Sequence, residues 1–99
     1  VDFQIYEDVA LTKPVEDLNL GKLKAGESKQ FTYYIANASV YPYEELQFHV
    51  EHKEVKILHA PVELNANSNS KIILEWNPSV SVKRGLKTTL KIEGFQVIS

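Results

Sequence analysis

The chain contains no cysteine and no methionine, and its 99 residues include a single tryptophan, four glycines and four prolines. Without cysteine, disulfide frameworks, zinc ribbons, thiol nucleophiles and dithiol redox motifs are excluded together. No apolar run approaches the ~20 residues that a membrane-spanning helix needs, and no charged-then-apolar leader opens the chain, so membrane insertion is not expected. The start at Val1, without methionine, points to processing or to excision from a longer chain. A clustered basic stretch is missing too: ten lysines and Arg84 are scattered among 13 acidic residues, for a net charge of −2. Nucleic acid requires concentrated positive charge against its phosphates and is therefore not an expected partner.

What is present is a two-residue beat. Phe31, Tyr33 and Ile35 alternate with Thr32, Tyr34 and Ala36, and Leu46, Phe48 and Val50 alternate with Gln47, His49 and Glu51. Ile72, Leu74 and Trp76 repeat it, as do Leu86, Thr88, Leu90 and Ile92. Successive residues of a strand point to opposite faces, so each alternation supplies one row to a core and one to the outside. Phe31, Tyr33, Ile35, Leu46, Phe48, Val50, Ile72, Leu74, Trp76, Leu90 and Ile92 are the expected core. A chain of this length buries roughly two-thirds of its unfolded surface, enough for one core in one domain, residues 1–99.

Punctuation between the runs completes the reading. Val1, Phe3 and Ile5 open a first strand, Val9 and Leu11 continue extended, and Pro14 marks an edge or a crossing between sheets. Leu18, Leu20 and Leu23 form a short strand kinked at Gly21, followed by a turn over residues 24–27. Asn37-Ala38-Ser39 stops the strand from Ser28 to Ala36, and Tyr41-Pro42-Tyr43 sits in a connection. Strands follow at residues 45–50 and 55–58. The run Asn65 to Ser70 is too rich in short polar side chains for a regular element. Residues 71–76 form a strand, Lys83-Arg84-Gly85 a turn, residues 86–93 the penultimate strand, and Phe95 to Ile98 a closing segment beyond Gly94. Seven to nine short strands with turn signals every 8–12 residues predict an all-β, immunoglobulin-like β-sandwich of two antiparallel sheets.

The order Leu18-Asn19-Leu20-Gly21, Gly26-Glu27, Phe31 to Asn37, Pro61-Val62-Glu63-Leu64, Ile72 to Pro78 and Gly85 to Gly94 is similar to the immunoglobulin-like sandwiches of the ASH type, named for hydin and related ciliary and centrosomal proteins. It also resembles bacterial and phage accessory modules with the same running order. The resemblance covers about four-fifths of the chain and carries structural residues only. It implies a non-enzymatic module that contacts protein partners in a larger assembly, with a phage virion as the favoured setting, as capsid decoration or tail accessory domain. A cytoplasmic ASH-type scaffold is the alternative setting. The chain departs from many relatives after Asn37, where Ala38-Ser39-Val40-Tyr41-Pro42-Tyr43 replaces a small glycine turn.

Candidate chemistry is sparse, and no catalytic residue, cofactor or metal ligand is assigned. His49 and Glu51 share a strand face near His52, Glu54 and His59, but no further ligand has a fixed spacing and a closed zinc site needs four. No serine occupies a nucleophile elbow. Glu44 and Glu45, adjacent in an extended segment, should diverge to opposite faces, which is poor geometry for a glycosidase pair. Asn37-Ala38-Ser39 has the form of a glycosylation sequon, but such triplets arise by chance constantly, and without a secretory context no glycan is expected there. Tyrosine joins apolar area to a polar tip and favours interfaces. Tyr41, Pro42 and Tyr43 in the connection, or Phe95 and Val97 in the closing segment, are the expected partner contacts at one end of the sandwich. Carbohydrate stacked on Tyr41 and Tyr43 is the alternative ligand; serines at both positions should spare folding while weakening association with the parent assembly, or with polysaccharide on the carbohydrate reading. Added zinc is expected to leave the melting temperature unchanged; a specific ligand at a hundredfold excess over its Kd would add about 2.7 kcal/mol, and a saturable rise abolished by His49→Ala would reveal a metal site.

Overall fold

The alternating runs form strands, and their apolar rows meet between two sheets. The structure, a computed structural model, describes residues 3–98; Val1 and Asp2, expected at the start of the first strand, and Ser99 lie outside the described residues. The strands are β1 (Phe3–Tyr6), β2 (Asp17–Leu23), β3 (Lys29–Asn37), β4 (Tyr43–Val50), β5 (Val55–His59), β6 (Ser68–Trp76) and β7 (Val82–Gln96). One sheet has the order β1-β3-β6-β5 and the other β2-β7-β4, and every pairing is antiparallel. The chain is an all-β sandwich.

Of the expected core, Tyr33, Ile35, Leu46, Ile72, Leu74 and Trp76 are buried, and Phe31, Phe48, Val50, Leu90 and Ile92 are partly buried against them. Ile5, Leu18, Leu20, Tyr43, Val55 and Leu64 complete the centre. Trp76 is fully enclosed, and its indole N–H has no partner among the described residues. An orphaned donor of this kind costs about 1–3 kcal/mol, so Trp76 stabilises through its packed area alone. Burial, together with the nearby Glu7 carboxylate, pushes the Tyr33 phenol above its ordinary range.

Pro14 does mark a crossing. It bridges Tyr6 in the first sheet, the Val15 N–H donates to the Ile5 carbonyl at 2.9 Å, and Asp17 then pairs with Thr89 in the second sheet. The kink at Gly21 is also present, as a register shift between β2 and β7 with Gly21 at φ +78°.

Three expectations about chain segments are overturned within the two sheets and their first connection. Val9 and Leu11 are not extended: Val9 is exposed, Leu11 has φ +58°, and residues 7–13 fold into a loop closed by the Glu7 N–H on the Lys13 carbonyl. The Asp8 carboxylate organises that loop by accepting from the Thr12 hydroxyl and from the N–H groups of Thr12 and Lys13, and those bonds, the hydroxyl first, hold it below the usual carboxylate range. Ser68, Asn69 and Ser70 are strand, not connection, because β3 extends to Asn37 and supplies partners for all three. Their local preference for turns yields to the ladder opposite.

The third correction shapes the molecule. Lys83-Arg84-Gly85 is not a turn and Gly94 is not a break; both lie inside β7, so the expected penultimate and closing strands are one strand of 15 residues. Gly85, at φ +88°, sits against the Gly21 carbonyl, and the two glycines let the paired strands bend together. Gly94 serves differently. The register shift between Glu44 and Gln47 sets Glu45 and Leu46 opposite it, and a Cβ there would lie 2.7 Å from Leu46 Cδ2 and 3.2 Å from the Glu44 carbonyl oxygen. Fifteen residues at ~3.3 Å each span about 50 Å. The longest dimension of the molecule is 49 Å. β7 therefore runs from one end of the sandwich to the other.

In urea unfolding, Trp76→Ala should cost about 3–5 kcal/mol and more than Phe48→Ala, whose ring is only partly buried. Gly94→Ala should cost about 1–3 kcal/mol by overpacking against Leu46. An unchanged midpoint for either Trp76→Ala or Gly94→Ala would contradict the register described.

Candidate interaction end of the sandwich

The end of the molecule where β3 stops, β4 begins and β7 finishes is organised by one buried amide. Asn37 is 1% exposed. Its Nδ2 donates to the carbonyls of Tyr41 at 2.9 Å, Asn65 at 3.1 Å and Leu64 at 3.4 Å, and its Oδ1 accepts from the Ser39 N–H at 2.9 Å. One side chain thereby closes the 38–42 loop and anchors the connection between β5 and β6. Ser39 extends the tie: its Oγ accepts from the Tyr41 N–H and from Gln96 Nε2, at 3.0 and 2.7 Å, and its carbonyl accepts from the Asn67 N–H. The Asn37 amide nitrogen is committed inside the fold, so the folded chain does not offer the sequon to a glycosyl donor.

The two segments considered separately as partner contacts meet at this end. Tyr43 pairs with Gln96, Glu44 pairs with Phe95, and the Val97 N–H donates to the Pro42 carbonyl at 2.9 Å. Their exposure differs sharply. Tyr43 is the first residue of β4 and is buried, its ring edge-on to Phe3 at 5.1 Å between centroids and 76° between planes. Tyr41 and Pro42 are half-buried, whereas Phe95 is 67% exposed and Val97 lies open at the chain's end. Tyr43 is therefore a core residue rather than an exposed connector, and a stacking platform of two tyrosine rings does not form.

Residues that the sequence did not mark as contacts complete the surface. Residues 62–64 run beside β4, with Leu64 exchanging backbone bonds with Tyr43 and the Leu46 N–H donating to the Val62 carbonyl. Val62, 68% exposed, thus faces Phe95 across a cleft of about 680 Å³ whose wall is Gly94 and Leu46 and whose rim carries Glu45 and Glu93. Glu45 sits at φ +54° in the bulge. That conformation overturns the expected divergence of Glu44 and Glu45, which line one depression with Val62 and Glu63. Val40 and Ile98 add exposed apolar area. The segments 37–46, 59–70 and 92–98 contain four glutamates and no lysine or arginine. The surface is apolar at its centre and acidic at its rim.

The other polar constellations are distributed differently. His49 lies exposed on β4 and Glu51 exposed just beyond its end, where Glu51 accepts the Thr89 hydroxyl at 2.7 Å. His52 Nδ1 accepts the Glu54 N–H at 3.2 Å, and Glu54 accepts the Ser79 N–H at 3.0 Å; the bonds from Ser79 hold the Glu54 carboxyl below its ordinary range. These groups fasten the 51–54 turn to the 77–79 turn. His59 is exposed at the end of β5. Among the described residues no three His, Asp or Glu side chains are grouped to hold a metal ion.

Asn37→Ala should cost at least about 1–3 kcal/mol, because the carbonyls of Tyr41 and Asn65 and the Ser39 N–H lose their partner. Asn37→Asp should cost more, since it sets carboxylate oxygens against those carbonyls. Tyr43→Ser should destabilise by about 3–5 kcal/mol, as truncation of a buried aromatic does, and Tyr41→Ser by much less. Equal midpoints for the two tyrosine variants in denaturant would refute the assignment of Tyr43 to the core.

No family model matches the chain, and neither a curated protein nor a solved structure matches it.

Proposed function

We propose that this chain is a non-enzymatic, immunoglobulin-like interaction module that joins a larger assembly through its acidic, apolar end. The observation that carries the reading is the convergence of Phe95 and Val62, each about two-thirds exposed, on one cleft. Single exposed apolar residues are ordinary, but several gathered on one surface and rimmed by polar groups mark protein contact. An aromatic anchor beside a pocket is the usual form of an energetic centre in such contacts. The clamp at Asn37 supports the same reading, since a surface held rigid before binding loses less entropy on association. The resemblance to phage and bacterial accessory modules and to ASH-type domains favours an assembly role, with the virion as the first setting to test. Carbohydrate is the weaker reading, because Tyr43 belongs to the core and leaves Tyr41 without a second stacking ring.

The double variant Phe95→Ser with Val62→Ser should fold with a thermal melt close to the parent chain, yet lose co-purification with the parent assembly. Undiminished co-purification, or retention on insoluble polysaccharide that the variant does not change, would contradict the proposal.

A further inference from the structure

The opposite end of β7 carries the opposite charge. Val82 there pairs with Leu23, and the Gly26 N–H donates to the Pro78 carbonyl while the Ala25 N–H donates to Ser81 Oγ, so the 24–28 and 77–81 turns form one surface. Leu23 and Val82, both partly buried, floor a groove of about 450 Å³ rimmed by Lys22, Lys24 and Lys83. Arg84 follows on β7, and Val80 stands 71% exposed in the adjoining turn. Glu27 also lines the groove, but its Oε1 accepts the Lys24 N–H at 2.9 Å. Cations scattered in sequence are thus gathered by the fold at one end of a 49 Å body, while the other end has only carboxylates.

The basic end holds two carboxylates, Glu27 in the groove and Glu54 on the Ser79 N–H, but Lys22, Lys24, Lys83 and Arg84 outnumber them. The acidic end projects an aromatic side chain, Phe95, beside Glu45, Glu63 and Glu93; the basic end offers an apolar groove between lysines whose methylene stems extend its walls. We infer that the partner of the acidic end is the basic end of a second copy of this chain, with Phe95 seated over Leu23 and Val82 and the glutamates facing Lys22, Lys24 and Lys83. The inference rests on the interaction role proposed above and names its partner. Because two different surfaces meet, the contact is head-to-tail; it does not close on itself, and it builds linear rows along the long axis. Like ends repel, which selects against the symmetric pairing that an exposed Phe95 would otherwise permit.

Sedimentation velocity on the 99-residue chain tests this. At an ionic strength of about 0.01 M, where the Debye length is about 30 Å, the weight-average mass should climb with concentration past that of a dimer; at about 1 M, where it is about 3 Å, the association should be lost. Two charge-reversed variants, K22E/K24E/K83E and E45K/E63K/E93K, checked for folding by thermal melt, should each be monomeric alone. Their equimolar mixture should associate again, since one then has two acidic ends and the other two basic ends. A wild-type chain that stays monomeric at low ionic strength, or association that neither reversal alters, overturns the inference. If the wild type stays monomeric while Phe95→Ser with Val62→Ser still abolishes co-purification with the parent assembly, the self-partner falls and the interaction role stands.

Discussion

Four hydrogen bonds from the Asn37 amide hold the candidate surface together. The strands would pair without them, because the β3 and β6 ladder runs from Lys29 and Trp76 up to Asn37 and Ser68 on its own register. What the ladder does not determine is where residues 38–42 and 64–67 go once they leave it. Three carbonyls and one N–H converge on a side chain that can donate twice and accept twice, and the bond at 3.4 Å shares a hydrogen with its neighbours. Burial makes the arrangement selective, since an amide in that position without partners would lose several kcal/mol of hydration. Through Ser39 the constraint reaches Gln96, and through Leu64 it reaches Tyr43. Phe95 and Val62 are placed by other bonds, Phe95 by its pairing with Glu44 and Val62 by the Leu46 N–H, and the Asn37 clamp fixes the loops that flank them.

β7 carries that local order across the whole molecule. Its two partners divide it, β2 along residues 82–89 and β4 along residues 90–96, and each division has its own irregularity. At Gly85 the chain needs a backbone conformation that L side chains rarely adopt. At Gly94 the need is for space, because the β4 bulge drives Leu46 into the volume a side chain would fill. The first irregularity shapes the end that carries Lys22 and Lys83; the second opens the cleft beneath Phe95 and turns Glu45 outward. Segregation of charge thus combines local composition with strand length and bulge position: segments free of lysine and arginine are brought together at one end and Lys22, Lys24, Lys83 and Arg84 at the other.

The fold was legible where both rows of a strand differed in character. Ile72, Leu74 and Trp76, set against Lys71, Ile73 and Glu75, identify their inner face without knowledge of the partner. Legibility failed where a residue's local habit was overridden from far along the chain: Ser68 to Ser70 prefer turns but stand opposite β3, and Gly85 and Gly94 punctuate a sequence yet sit within one strand. The site was half legible. Phe95 and Val97 stood out as apolar residues in a segment of little charge, and they are exposed. Tyr43 was misplaced because nothing near it in sequence announces Phe3, which lies 40 positions earlier and meets its ring. Val62, Glu63 and Glu93 stood out only as parts of the structural resemblance and gave no signal of surface contact, which each acquires from the bulge that brings it beside Glu45. Asn37 carried a signal of another kind, the form of a sequon, while its place at the end of the strand was the informative part.

Amide hydrogen exchange on Asn37→Ala tests the central claim, that this side chain fixes the loops at the candidate interaction end. The N–H groups of Ser39, Tyr41, Asn67 and Val97, which bond to Asn37 Oδ1, Ser39 Oγ, the Ser39 carbonyl and the Pro42 carbonyl, should lose protection together. Those of Tyr33, Ile72 and Leu74 in the centre should fall only by the common factor set by the change in global stability. Protection at the four end positions that drops no further than in the centre would contradict the account.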